Sequence, residues 1–319
     1  MTNMVGFPEL GIEPFSLNRV AFEFSLFGKE ISIAWYGIIL TCAILVACLY
    51  AWRKLTKAGL LNTDQFLDLA LWAIPLSVVG ARLYFVIAQF GDYFLNENRA
   101  WWEFLAIWQG GLAIYGAIIA GFFTVLIFCL VKKINPWSVF DCAAPSLMLG
   151  QAIGRWANFV NAEAYGIETS LPWRMSVNGS MVHPTFLYES LWNIIGFVAL
   201  QFVMKKKKFS GQILSLYVSW YGLGRFWIEW LRSDSLPYGA DFRISQIVAA
   251  LCFFGGIVAY FLLRRLDEKA AFEAAMQEAV NDELEETHYT ADSDEGAVVY
   301  EDTTENDTKE NNTEDKGEE

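Results

Sequence analysis

Histidine is almost missing from this chain: its 319 residues include two, His183 and His288. Cysteine is sparse too. Cys42, Cys48, Cys129, Cys142 and Cys252 lie inside or at the ends of apolar runs, and none shows metal-ligand spacing. They read as small core hydrophobes rather than metal ligands. Charge is thin, at 18% of residues, where an average soluble domain carries about 25%. No repeat at a fixed period stands out. The first residues lack the basic start and apolar core of a cleavable signal.

What is abundant is apolar. Hydrophobic residues make up 55% of the chain and aromatics 16%, a composition suited to a polytopic membrane protein. The net charge of -13 hides a division. From Leu266 onward there are 20 acidic and 3 basic residues, leaving 16 and 20 in the body. The body is therefore mildly basic. The tail is acidic, poor in aromatics and an unsuitable partner for nucleic acid.

Seven runs are long enough to span a bilayer, which takes roughly 18 apolar residues: Ile31–Ala51, Phe66–Phe90, Gly111–Val131, Val139–Phe159, His183–Met204, Gly211–Leu231 and Ile244–Leu263. Basic clusters occupy alternate connections: Arg53, Lys54 and Lys57; Lys132 and Lys133; Lys205–Lys208; Arg264 and Arg265. Positive loops stay cytoplasmic, so the expectation is an all-α fold of seven transmembrane helices, N-terminus outside and C-terminus inside. Residues 1–265 would form the membrane domain, 266–286 a cytoplasmic helix, and 287–319 a disordered acidic tail.

An ionised side chain deep in a span costs roughly 2.5–3.5 kcal/mol. With this orientation, Arg82, Arg155, Asn158, Tyr221, Arg225, Glu229 and Arg232 fall in the outer halves of their spans, joined by Tyr36, Gln109, Tyr115, His183, Tyr188 and Glu189. Asp68 and Asp141 sit at inner ends and read as structural. Tyr221, Arg225 and Glu229 recur every four residues on one helix face, with Arg232 three further on. Arg225–Glu229 alone reads equally as a buried ion pair. With Arg82, Arg155 and Arg232 added, positive charge exceeds what one glutamate neutralises, and a phospholipid phosphate is the natural partner for planar guanidiniums. A transporter for a lipid or anion, or a non-catalytic envelope scaffold, would use some of the same residues.

The segment Gly154-Arg155-Trp156-Ala157-Asn158-Phe159-Val160-Asn161-Ala162-Glu163, followed by Gly166, resembles the signature of the prolipoprotein diacylglyceryl transferase family. Ala34-Trp35-Tyr36-Gly37, Ile107-Trp108-Gln109-Gly110-Gly111-Leu112, His183-Pro184-Thr185 with Leu187-Tyr188-Glu189, and Gly224-Arg225-Phe226 with Glu229 and Arg232 resemble further motifs of that family. The resemblance covers about residues 15–265. It implies a bacterial cell-membrane enzyme that moves the diacylglyceryl group of phosphatidylglycerol onto the lipobox cysteine of a prolipoprotein, without metal or cofactor. Tyr115-Gly116 stands where many members have His-Gly, so a histidine base is missing there. Phe186 replaces a common Gln.

On that basis the catalytic candidates are Arg155, Arg225, Tyr36, Tyr115 and Glu229. Substrate-binding candidates are Arg155, Asn158, Asn161, Glu163, Gly166, Gln109, His183, Arg232 and Arg82.

Overall fold

The computed structural model describes residues 2–26, 29–94, 101–107, 110–232, 237–238 and 242–295. Met1–Asp267 form one compact unit and Glu268–Glu319 a second.

Eight helices run through the described residues: α1 (Trp35–Lys57), α2 (Thr63–Ala88), α3 (Phe90–Phe94), α4 (Ile114–Val131), α5 (Pro136–Asn161), α6 (Thr185–Met204), α7 (Gln212–Leu231) and α8 (Ile244–Glu295). Local chemistry sets their ends. Asn62 and Gln65 form a reciprocal capping box at the start of α2. Asn135 caps α5 ahead of Pro136, whose missing N–H costs nothing in a first turn. The start of α7 is capped from another helix: Asp141 of α5 accepts from the Gly211 amide at 2.8 Å and the Leu214 amide at 2.9 Å. Lys207 pairs with the same carboxylate at 2.9 Å. The buried Asp141 is thus a structural anchor.

Five stretches are long and apolar enough to cross a membrane: α1, α2, α4, α6 and Ser245–Asp282 within α8. Their outward side chains fit lipid rather than water. Leu71, Ile87 and Val131 are each at least 70% exposed, where each would forfeit about 2 kcal/mol in water. The protein is a membrane protein. α5 and α7 have comparable lengths, 26 and 20 residues, but carry Asp141 and Arg155, and Arg225 and Glu229, respectively.

The main helix pairings are α1 with α5, α2 with α4, and the trio α5, α6 and α7. Trp192 of α6 and Trp220 of α7 lock two of that trio together. Their rings stack at 4.4 Å, and each indole N–H donates to the other's carbonyl at 3.0 Å.

The all-α expectation needs correction. Strands β1 (Thr2–Phe7), β2 (Ile12–Asn18), β5 (Met175–Val177) and β6 (Ser180–Val182) form one sheet in the order β2-β1-β5-β6. Strands β3 (Val20–Leu26) and β4 (Lys29–Ala34) form a hairpin leading into α1, and β7 (Pro237–Tyr238) pairs with β8 (Phe242–Arg243). Phe22-Glu23-Phe24-Ser25-Leu26 alternates apolar and polar positions too briefly to register beside 20-residue helical runs. This antiparallel sheet buries Val5, Met175, Val177 and Val182 with Phe186 of α6. It thereby ties the chain's start to the loop between α5 and α6.

Candidate active site

Five charged side chains, four from three helices and a fifth, Arg232, from the C-cap of α7, form an alternating ladder. Arg155 near the end of α5 contacts Glu189 of α6 at 2.6 Å. The other oxygen of Glu189 accepts from Arg225 of α7 at 2.9 Å. Arg225 continues to Glu229, one turn on, at 2.5 Å. Glu229 lies 3.9 Å from Arg232 and accepts from the Ser245 hydroxyl of α8 at 2.8 Å. Three guanidiniums against two carboxylates leave these five groups with one formal positive charge.

Burial is graded along the ladder. The Glu189 and Glu229 side chains are 8% and 3% exposed, while Arg155 is 24% exposed. The carboxylates are therefore interior struts, and Arg155 is the cation most open to an incoming anion. A pair held at such depth costs several kcal/mol of desolvation per ion unless contacts offset it. Sharing Glu189 between two arginines supplies those contacts while leaving guanidinium capacity for a further oxyanion. Tyr221, one turn before Arg225 on α7, lies within electrostatic reach of Arg225, Arg155, Glu189 and Tyr115.

The loop beyond α5 frames the ladder. Ala162 ends the helix in a left-handed conformation, φ 50°. The Asn158 side chain donates to Glu163 at 3.0 Å, and the Glu163 amide donates to the Asn158 carbonyl at 3.0 Å. The Asn161 carbonyl accepts from Arg19 at 2.9 Å and Asn3 at 3.0 Å. Gly166 and Ile167 then thread between the His183 strand end and the Leu231 carbonyl, with amide bonds of 2.9 and 2.7 Å. A Cβ on Gly166 would lie 2.5 Å from His183 Cβ and 2.8 Å from Leu231 O. Only glycine passes there.

Residues 21–262 match the family described as prolipoprotein diacylglyceryl transferase. Similar curated proteins include the phosphatidylglycerol–prolipoprotein diacylglyceryl transferase of Listeria innocua serovar 6a, 42% identical over 253 residues, covering 76% of this chain and 87% of that relative. Proteins of the same name from Finegoldia magna (45% identity; 76% of this chain, 94% of the relative) and Oceanobacillus iheyensis (40%; 78% and 88%) are also similar. The chain belongs to the prolipoprotein diacylglyceryl transferase family.

Within that family frame, the structure brings Arg155, Arg225, Glu229 and Arg232 together and sets Asn158, Asn161 and Glu163 beside them. Other candidates make contacts elsewhere. Arg82, expected as a substrate ligand, is 4% exposed and committed elsewhere. Four of its five N–H groups' worth of bonding goes to the carbonyls of Glu103, Phe104, Gly110 and Gly111, at 2.7–3.0 Å. Arg82 therefore clamps the connection between α2 and α4. The clamp is tight at Gly111, φ 73°, where a Cβ would meet Phe85 at 2.5 Å. Gly166, also expected to contact substrate, is a close-packing position. Asn161 presents its carbonyl to Arg19 and Asn3. Gln109 lies outside the described residues.

Tyr36 and Tyr115 are 38% and 41% exposed, each in the first turn of its helix. His183 ends a short file: the Trp173 indole donates to the Tyr188 hydroxyl at 2.8 Å, which lies 3.2 Å from His183 Nδ1. Burial lowers the His183 pKa below its usual value, so the imidazole is neutral at pH 7. Glu189 is the site residue that the candidate set omitted. Its signal was visible: a carboxylate inside an otherwise apolar helix run. Among the described residues no group of three or more His, Cys, Asp and Glu side chains could hold a metal ion.

Proposed function

We propose that this chain transfers the diacylglyceryl group of phosphatidylglycerol to the lipobox cysteine thiol of a prolipoprotein. The sulfur attacks the glyceryl carbon bonded to the phosphate oxygen. A C–S bond forms, the C–O bond breaks, and its electron pair leaves with glycerol phosphate. The thiol proton is lost as the thioether forms. The observation that carries this reading is the Arg155–Glu189–Arg225–Glu229–Arg232 ladder, with Arg155 its most exposed cation, in a chain of this family.

The residues divide the work. Arg155 and Arg225 bind the lipid phosphate and stabilise the charge that gathers on it as it departs, a form of preorganisation that is often the largest catalytic contribution. A free thiol has a pKa near ~8.5, and the same positive field raises its thiolate fraction. Glu189 and Glu229 hold the guanidiniums in place, and Arg232 contacts headgroup or peptide. Tyr36 and Tyr115 handle phosphate contact or proton transfer. Asn158 and Glu163 order the loop that closes over the glycerol, and His183, between β6 and α6, braces the same loop.

In this reading all seven long helices, α1, α2 and α4–α8, cross the bacterial cytoplasmic membrane. The N-terminus lies outside, the acidic tail inside, and the ladder at the outer leaflet. The alternation of basic connections supports that orientation. The test is direct. Purified protein in phosphatidylglycerol vesicles with a lipobox peptide should yield a peptide heavier by one diacylglyceryl group. The Cys→Ser peptide should yield none. Absence of the adduct with folded protein would refute the proposal.

A further inference from the structure

The helix that carries the last apolar stretch does not end with it. α8 continues to Glu295, well past residue 262, where the family match ends. Three large apolar side chains recur on the extension at four-residue spacing: Phe272, Met276 and Val280, each at least 45% exposed. That spacing sets them along one face of the helix, the pattern by which a helix meets a partner. Glu273, Glu278 and Asp282 are interleaved with them and are exposed as well. So many carboxylates exclude this stretch from hydrocarbon. It stands in water, where a row of bare apolar side chains is unfavourable until something covers it.

Charge selects what covers it. Residues 267–295 include 11 acidic side chains and one basic, Lys269, which pairs with Glu273 at 3.5 Å. The connections on the same side of the membrane, in the seven-crossing reading, have the opposite sign: Arg53, Lys54 and Lys57, then Lys132 and Lys133, then Lys205–Lys208. A second copy of the chain would bring acid against acid. An anionic leaflet would repel the helix in the same way. A segment that combines lysine or arginine with bulky apolar residues satisfies both the stripe and the acids beside it.

We propose that the Phe272–Met276–Val280 face docks the basic start of the prolipoprotein's signal segment. A secretory signal opens with a positively charged stretch that runs into an apolar core of about 7–15 residues, so it offers both features in one short piece. Positive charge keeps that start in the cytoplasm. The lipobox cysteine must reach the ladder at the outer leaflet, which leaves the charged start on the side where α8 emerges. There the basic connections repel it and the acidic extension attracts it. The inference rests on the transfer reaction and the orientation proposed above, and it adds to them a recruiting surface for the peptide substrate.

The experiment uses the full chain in phosphatidylcholine vesicles, with a photoreactive benzophenone residue in place of Met276 or of Asn281, which lies about 140° further round the helix. The probe is a biotinylated prolipoprotein signal peptide with lysines at its start and Ser for its lipobox Cys, so capture needs no transfer. Cross-linking from position 276 should exceed that from 281 by about five-fold. It should fall by about five-fold when the peptide's lysines are replaced by Gln, the loss expected from a few exposed ion pairs. Glu273→Gln/Glu278→Gln/Asp282→Asn should reproduce that fall with the lysine peptide. With the reactive Cys peptide in phosphatidylglycerol vesicles, the same triple variant should raise the peptide KM about five-fold and leave kcat alone, and a lipobox peptide without the basic start should show no change. Capture that ignores the lysines, or cross-links from position 276 to lipid or to a second copy in place of the peptide, would overturn the docking face while leaving the transfer reaction standing. Lysine-dependent capture without any diacylglyceryl adduct would support the docking face and refute the reaction.

Discussion

Glu189→Gln is the most informative single change in this protein. The amide keeps the shape of the carboxylate but removes its charge, taking the five-group ladder from one formal positive charge to two. Two contacts weaken at once, those to Arg155 at 2.6 Å and Arg225 at 2.9 Å. Hydrogen bonds to charged groups contribute about 1.5–3 kcal/mol each. Arg155 is a quarter exposed and partly screened, so its share is discounted toward the low end. The stability loss should be about 1–3 kcal/mol, read as a lower melting temperature in detergent.

The kinetic consequence differs in kind. More positive charge should not weaken phosphate binding, so the KM for phosphatidylglycerol should hold or fall. The arginines lose their common strut, so kcat should drop by about 100-fold, or about 2.7 kcal/mol of transition-state stabilisation. Adduct formation on a lipobox peptide, followed against lipid concentration, separates the two parameters. Unchanged kcat with a lowered melting temperature would show that Glu189 only holds helices together, and the positioning argument would fail.

Other expectations are narrower. Arg155→Ala and Arg225→Ala should each lower kcat/KM by at least about 100-fold while still folding in membranes, and Arg155→Lys should restore little, because a point charge cannot grip a phosphate in bidentate fashion. Two variants with full activity would refute the phosphate-binding role. Gly166→Ala should cost about 1–3 kcal/mol through the clash with His183 and the Leu231 carbonyl, measurable by thermal unfolding. His183 has a folded-state pKa below its unfolded value. Its contribution to stability is therefore full above about pH 6.5 and declines as pH falls below that value and the imidazole must charge. His183→Gln should flatten that part of the melting-temperature profile between pH 5 and 8.

The sequence made the polar face of α7 legible because one helix carries it: Tyr221, Arg225 and Glu229 are neighbours by spacing alone. It also made Asp141 legible as structural, since an acid at the end of an apolar run has backbone amides within reach. Pairings between helices were harder. Glu189 was visible as an anomaly, yet nothing in its spacing said that both its oxygens would be taken by arginines from two other helices. Arg82 was ambiguous for the opposite reason. A guanidinium in a span suggests an anion, but carbonyls freed by a loop can satisfy it equally well, and the loop's fold is not written in a periodicity. The N-terminal strands were hidden by length, being six or seven residues beside runs three times longer.

Arg82 supports a last prediction, since it separates the two ways an intramembrane arginine can matter. Its guanidinium holds the carbonyls of Glu103, Phe104, Gly110 and Gly111, and the Ala113 amide at the start of α4 donates to the Ala81 carbonyl beside it at 3.0 Å. The clamp therefore sets where α4 begins and where Tyr115, two residues later, presents its ring. Arg82→Lys keeps the charge but offers three donors from one point in place of a planar fork, so it cannot reach carbonyls spread on two sides. If Arg82 acts through loop placement, the lysine variant should lose most of the activity despite its charge, and protease cleavage between residues 101 and 113 should speed up in parallel. If it acts as a phosphate ligand, the lysine should retain substantial activity with cleavage unchanged. That second outcome would return Arg82 to the substrate site.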